Sequence, residues 1–395
     1  MKKIANTAKQ GRMDFTIFAV VILLCVFGLV MVLSSSYYYA YRQLKSHDGF
    51  YYVKKQAVYF IAGLAAMIVI SRVPYTIYKN RTIYAAAFLL TLIGVFLVPI
   101  IGKEVNGAKR WLDFGFATVQ PAELAKFAVV IAMSAYMANN REKIKVPKYG
   151  IIRLSALILA PLALGILFQR NLSMLVIVVA IYVVMLFIGE IPVKHMLVLG
   201  GMALAVMLLA VFAESYRLER VISFSNPWKD PSDTGYQLIQ SLLAIGSGGI
   251  FGKGLNFSSQ KLLFLTYGES DFIFAVIAEE LGLVGCVILI GVYGFLIYRG
   301  VLVALKCRDR FGSMLAAGVT SVIAIQVIVH ILVTIGWAPT TGQTLPFISA
   351  GGTSLVFFMA ATGILLNVSR HTTNTAKRAT NERTDDSRRI GSPGE

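Results

Sequence analysis

Ten stretches of this sequence are apolar over roughly the length a helix needs to cross a bilayer. Such a helix takes about 20 residues. The runs fall at approximately 15–35, 55–71, 83–101, 123–138, 154–168, 172–189, 195–213, 273–298, 313–335 and 346–367. The fifth and sixth are short and separated only by Gln169, Arg170 and Asn171, the pattern of a tight helical hairpin. The first follows Lys2, Lys3, Lys9 and Arg12 and so looks like a signal peptide. Nine further runs follow it, which reads as an uncleaved first helix. The expected fold is an all-α polytopic membrane protein of about ten transmembrane helices with one long extracellular loop.

Composition agrees. Hydrophobic residues make up 57% of the 395 and charged residues 14%, against about 25% charged in a soluble chain. That excludes a disordered chain, a collagen-like chain and a disulfide scaffold. The net charge is +17. In a soluble chain it would suggest nucleic acid. Here Lys- and Arg-biased cytoplasmic loops and anionic lipid or pyrophosphate ligands explain it, and no nucleic-acid partner is expected. Cys25, Cys286 and Cys307 show neither metal-ligand spacing nor a disulfide framework.

With the N-terminus inside, the inner segments hold 23 Lys and Arg and the remainder 14, of which 5 lie in one long loop. Long loops count little in this rule, so both termini are expected to be cytoplasmic. Trp111, Trp228 and Trp337 then fall in outer loops near the interface, where Trp concentrates. Residues 1–369 are expected to form the membrane domain, with the long outer loop at about 214–272. Residues 370–395 read as a disordered cytoplasmic tail.

Membrane physics leaves several residues unexplained. Gln120 to Lys126 opens the fourth run as QPAELAK. Pro121 suits a first helical turn, and Glu123 and Lys126, three apart, share a face and can pair. They read either as a structural ion pair or as a lysine held for an anionic head group. Lys103, Lys109 and Arg110 beside Trp111 suit either an interfacial anchor or phosphate contacts. Five glycines between Gly246 and Gly254 mark a bend, a re-entrant segment or close backbone approach to a ligand, with Lys253 and Lys261 able to meet phosphates. Asp271 stands where the eighth run begins, as a helix N-cap or as a functional acid at the outer boundary. Glu279 and Glu280 follow roughly 12–14 Å further along that helix and should pair or line a polar cavity. Gly336 to Ser354 is rich in Gly, Pro and small polar residues, either a turn into the tenth run or a backbone-lined groove wall that includes Ser349, Gly351 and Gly352.

Taken in order, FGLVMVLSSS, IGKEVNGAKRW, QPAELAKF, NPWKDP…GYQ…QSLLAIGSGGIFGKGL…SSQK, SDFIFAVIAEELGLVG and TLPFISAGGTS resemble the SEDS family (shape, elongation, division and sporulation), which includes RodA, FtsW and SpoVE. The resemblance runs from Asp14 to Asn367. It implies a peptidoglycan glycosyltransferase of the bacterial cytoplasmic membrane that polymerises lipid II at the outer face, paired with a class B penicillin-binding protein. The family's essential acid falls on Asp271, its charged pair on Glu123 and Lys126, and its basic-Trp pair on Arg110 and Trp111. Gln120, Lys109, Lys261, Ser349, Gly351 and Gly352 are the further candidate substrate contacts.

That chemistry makes a β-linked glycan from an α-linked lipid diphosphate. Inversion suggests direct displacement, with a base for the acceptor 4-hydroxyl and positive charge for the departing undecaprenyl diphosphate. Asp271 is the candidate base, a role worth about 10²–10⁴ in rate. Lys126 and Arg110 are the candidate electrostatic stabilisers. A magnesium or manganese ion could share that role, though the sequence shows no dedicated cage for one.

The chain departs from the family pattern at Arg170 and Asn171, where a carboxylate is lost and a cation gained. It departs again at Tyr267 and the residues around it, at Ala350 in place of a tyrosine, and at His330 in place of an asparagine. A lone His in a span suits a packing role. These departures mark a divergent member. They keep two other readings open, a flippase or transporter for a lipid-linked sugar and a scaffold that recruits a transpeptidase.

Overall fold

The computed structural model describes residues 11–44, 47–105, 108–115, 117–212, 219, 224–231, 235–261 and 265–390, with side chains at the C-terminal end described as far as His371. Lys2, Lys3 and Lys9, parts of the long loop, and residues 391–395 lie outside the described residues.

The chain is a multi-pass helical bundle. Its helices are α1 (Phe15–Gln43), α2 (Tyr51–Arg72), α3 (Arg81–Ile101), α4 (Pro121–Asn139), α5 (Lys148–Phe168), α6 (Leu172–Ile188), α7 (Val193–Phe212), α8 (Tyr236–Gly248), α9 (Ile273–Lys306), α10 (Arg310–Thr334) and α11 (Thr353–Ile390). Eight of these are long and apolar enough to cross a membrane, and α6 and the Val193–Val206 part of α7 are shorter apolar segments. All ten apolar runs therefore form helices. The helical backbone of α11 continues into the stretch read as a polar tail.

Local signals start several helices. Asp14 Oδ1 accepts the backbone N–H groups of Thr16 and Ile17. Asn80, Asn171 and Asp309 cap α3, α6 and α10 in the same way, satisfying donors that a first turn leaves free. Pro121 begins α4, where its missing N–H costs nothing.

The core centres on α4, where Ala125, Val129, Val130 and Met133 are fully enclosed. Small residues let helices approach closely, as in membrane bundles generally. A Cβ on Gly63 of α2 would stand 2.6 Å from the Met359 sulfur of α11.

Three features depart from a plain ten-helix reading. Three short segments, β1 (Lys103–Val105), β2 (Ala108–Asp113) and β3 (Thr118–Val119), form a small antiparallel sheet in the order β1-β2-β3. The tenth apolar run becomes helical (α11) only from Thr353 rather than near 346, because Thr344 to Gly352 form a turn held by Ser349.

The eighth run is a broken helix. Gly282 has φ 67° and ψ −167°, a conformation that essentially only glycine adopts. The glycine-rich segment after α8 docks onto the break. Lys253 N–H donates to the Glu279 carbonyl at 3.0 Å, and Gly254 N–H to that of Glu280 at 2.9 Å. In return Leu283 and Val284 N–H groups donate to the Gly249 and Ile250 carbonyls at 3.0 and 3.1 Å. Backbone groups freed by the break thus find partners inside the protein, as membrane depth requires.

Candidate active site

One end of the bundle holds a cleft of about 590 Å³. Its walls come from elements far apart in sequence: the first turns of α2, strand β2, the start of α4, the α5–α6 turn, the turn before α9, and the segments preceding α11.

Asp271 lines this cleft. It sits in a tight turn in which the Tyr267 carbonyl accepts from the N–H groups of Ser270, Asp271 and Phe272. Tyr267 pays for that turn with φ 59°, an unfavourable backbone for a bulky residue. The turn is fastened from outside. Ser349 Oγ donates to the Ser270 carbonyl at 2.6 Å, and Ala350 N–H to the Glu269 carbonyl at 2.9 Å. Gln56 Nε2 in turn donates to the Ser349 carbonyl at 2.9 Å. Ser349 therefore positions the acid from beneath and is itself buried. A Cβ on Gly342 would stand 3.3 Å from Asp271 Oδ2.

Glu269 is a second carboxylate beside Asp271 and is mostly buried. Loss of solvent first, and the Asp271 charge second, push its carboxyl above the usual glutamate range.

Cations share the cleft with the acid. Lys55, Arg110 and Arg170 all line the cleft. Arg110 Nη2 donates to the Arg170 carbonyl at 3.1 Å, tying β2 to the α5–α6 turn. Arg170 adopts φ 53° there. Trp111, Gln120, Gly351 and Gly352 also line the walls. The cation gained at Arg170 thus belongs to the site.

Glu123 lines the cleft floor, but Lys126 is fully buried behind it. Lys126 Nζ lies 2.9 Å from Glu123 Oε2 and 3.0 Å from Gln326 Oε1, and packs 5.0 Å above the Phe358 ring. Ser354 Oγ donates to the same Glu123 oxygen at 2.7 Å. Gln326 continues the network to Gln343 Oε1 and the Thr344 carbonyl. His330 Nδ1 is 2.7 Å from the Gln343 carbonyl and is a buried packing residue.

Lys261, Lys253 and Lys109 also lie outside the cleft. Lys261 is buried, with Nζ 2.7 Å from Glu280 Oε1, 2.9 Å from Ser34 Oγ and 2.8 Å from Asn256 Oδ1. Glu279 likewise takes Lys253 Nζ at 2.6 Å and the Ser259 N–H at 2.9 Å. These pairs hold the glycine-rich segment to the broken helix. Lys109 Nζ donates to the Ile100 carbonyl at 3.5 Å and does not line the cleft among the described residues.

Sequence reasoning missed Tyr52, Gln56 and Tyr59 of α2, which line the cleft. A glutamine inside an apolar run was the available signal. Among the described residues, no three His, Cys, Asp or Glu side chains converge. That donor set does not fit a dedicated divalent-cation cage.

Residues 14–374 match the model of the FtsW, RodA and SpoVE family, described as cell cycle proteins. The chain is 38% identical over 364 residues to a probable peptidoglycan glycosyltransferase FtsW of Geobacter metallireducens, covering 92% of this chain and 96% of that one. It is 34% identical over 365 residues to the stage V sporulation protein E of Bacillus subtilis, covering 92% and 99%. Among solved structures it resembles a chain of a peptidoglycan synthase complex that coordinates polymerization and crosslinking. The TM-score is 0.74 at 30% identity, over 91% of this chain and 98% of that one. It also resembles the rod shape determining protein RodA of Thermus thermophilus, with TM-score 0.64 at 27% identity over 91% and 97%.

Proposed function

The chain belongs to the cell cycle protein family of FtsW, RodA and SpoVE, and on that premise we propose that it is a peptidoglycan glycosyltransferase that polymerises lipid II. The observation that carries the reading is Asp271 held in a braced turn inside a cleft lined by Lys55, Arg110 and Arg170. A base and a cationic wall in one cavity are what an inverting glycosyl transfer from a lipid diphosphate needs.

Asp271 takes the proton from the acceptor 4-hydroxyl. The acceptor oxygen attacks the donor's anomeric carbon from the face opposite the diphosphate. The carbon–oxygen bond to the diphosphate breaks, the α-linkage becomes β, and undecaprenyl diphosphate leaves toward Arg110 and Arg170. Arginine suits that task because its planar fork meets two phosphate oxygens at once. Lys126 acts through Glu123: it fixes that carboxylate on the cleft floor, where an acceptor hydroxyl can donate to it.

The excess of Lys and Arg on the segments at the far end of the bundle supports an orientation with both termini in the cytoplasm of a bacterial cell. The cleft then opens on the outer face of the cytoplasmic membrane, where the polar end of lipid II is presented. A class B penicillin-binding protein is the matching partner, since a nascent glycan must be cross-linked as it emerges.

Purified chain, alone and with such a partner, is to be given fluorescent lipid II and the products separated on a gel. Ladders of glycan support the proposal. Transfer of lipid II across vesicles without any polymer would replace it with a flippase, and partner binding without either activity would replace it with a scaffold.

A further inference from the structure

A second groove, of about 620 Å³, lies between α3, α4 and α5. It sits at the opposite end of the bundle from the cleft, at the beginning of α3 and the end of α4. It plays no part in the chemistry above.

All three helices show the same polarity gradient along this groove. On α3, Arg81 and Tyr84 come first and Phe88, Leu89 and Leu92 lie deeper. On α4, Asn140, Asn139 and Tyr136 stand at the end and Ala132 lies deeper. On α5, Arg153 precedes Leu157 and Ile158. From Arg81 to Leu92 the groove wall runs about 16 Å.

Arg81 and Arg153 are exposed, and neither is paired with a carboxylate among the described residues. Arg153 lies beside the Tyr136 hydroxyl, which donates to the Tyr149 carbonyl at 2.7 Å. Leu89 and Leu157 are 54% and 55% exposed, so the groove opens sideways, where lipid chains would run. The α5 wall is π-helical over Lys148–Ile152 and Ser155–Leu159, and Arg153 stands between the two segments. Such wide turns are uncommon and frequently mark functional sites.

Two arginines without carboxylate partners among the described residues, above an apolar, laterally open slot, match a phosphate head group on a hydrocarbon chain. Basic pockets between transmembrane helices take acidic lipid head groups in this way. We propose that this groove binds an anionic phospholipid of the adjacent leaflet. Arg81 and Arg153 take its phosphate, and Phe88, Leu92 and Ile158 take one acyl chain. The length of the wall fits one acyl chain and a fraction of a polyprenyl tail.

The test is native mass spectrometry of the full chain in neutral detergent, titrated separately with phosphatidylglycerol, phosphatidylcholine and undecaprenyl phosphate. Phosphatidylglycerol is expected to bind more tightly than phosphatidylcholine. Arg81→Gln with Arg153→Gln should weaken phosphatidylglycerol about 25-fold, since each surface cation contributes roughly fivefold, and weaken phosphatidylcholine, whose choline cation offsets its phosphate, by much less. Leu157→Trp fills the slot with both arginines in place and should also weaken phosphatidylglycerol. It carries the test if the double variant does not fold. Equal affinity for the two phospholipids, unchanged phosphatidylglycerol binding in the variants, or displacement by undecaprenyl phosphate at lower concentration would each overturn the proposal.

Discussion

Glu123 and Lys126 form an ion pair of 2.9 Å in which the carboxylate reaches the cleft and the ammonium does not. The lysine is completely enclosed, between Gln326 and the Phe358 ring. Removing one member of such a pair strands a buried charge, at a cost of about 3–5 kcal/mol. Lys126→Met should therefore lower the melting temperature sharply. Adding Glu123→Gln should recover much of that loss while leaving activity impaired. Thermal unfolding in detergent of the single and double variants checks this, and equal losses in both would contradict it.

Arg110 and Lys261 resemble each other as basic residues in polar loops, yet the structure separates them. Arg110 lines the cleft, and Lys261 is buried against Glu280. Arg110→Gln should cut the polymerisation rate by about 10- to 100-fold with little change in melting temperature, as expected for a lost charge-assisted contact. Lys261→Met should do the reverse and destabilise first. Initial rates and melting curves on both variants decide it.

Gly282 breaks α9 so that the segment after α8 can dock. Its φ is 67°, and a Cβ there would stand 2.3 Å from the Gly252 nitrogen. Gly282→Ala should cost at least the roughly 1–3 kcal/mol of a strained backbone. It should also loosen the Lys253–Glu279 contact, seen as faster hydrogen exchange across residues 249–261. Wild-type stability and exchange in this variant would contradict the structural role of the break.

Glu269 holds its proton more tightly folded than unfolded, because burial and the Asp271 charge raise its carboxyl. Unfolding releases that proton, so the residue's contribution to stability falls as pH rises above the unfolded value of about 4.3. Glu269→Gln should remove this loss, and the variant's gain in melting temperature over wild type should grow as pH rises above about 4.3, until the folded carboxyl is itself ionised. A gain that shrinks with pH would contradict the assignment.

The bundle was legible because apolar runs of spanning length have few alternatives in lipid. All ten became helices, and the three-residue spacing of Glu123 and Lys126 gave their pairing. It could not tell which of the two faces the cleft, since that depends on Gln326 and Phe358 from helices some 200 residues away. The break at Gly282 was hidden because glycine inside an apolar run looks like any other transmembrane glycine. Only docking of the Gly249–Gly254 backbone makes the positive φ favourable. The three-stranded sheet was equally hidden. β1 and β3 are too short for an alternating pattern, β2 does not alternate in burial, and pairing rather than periodicity defines them. Lys253 and Lys261 look like phosphate ligands until Glu279 and Glu280 fold back onto them.

The role of Asp271 is tested most directly by initial rates of lipid II polymerisation with Asp271→Asn, which keeps the shape and removes the base. The rate should fall by at least about 10²-fold, while lipid II binding stays within roughly threefold of wild type, a difference below 1 kcal/mol. A variant that polymerises within about tenfold of wild type would mean that another group takes the proton.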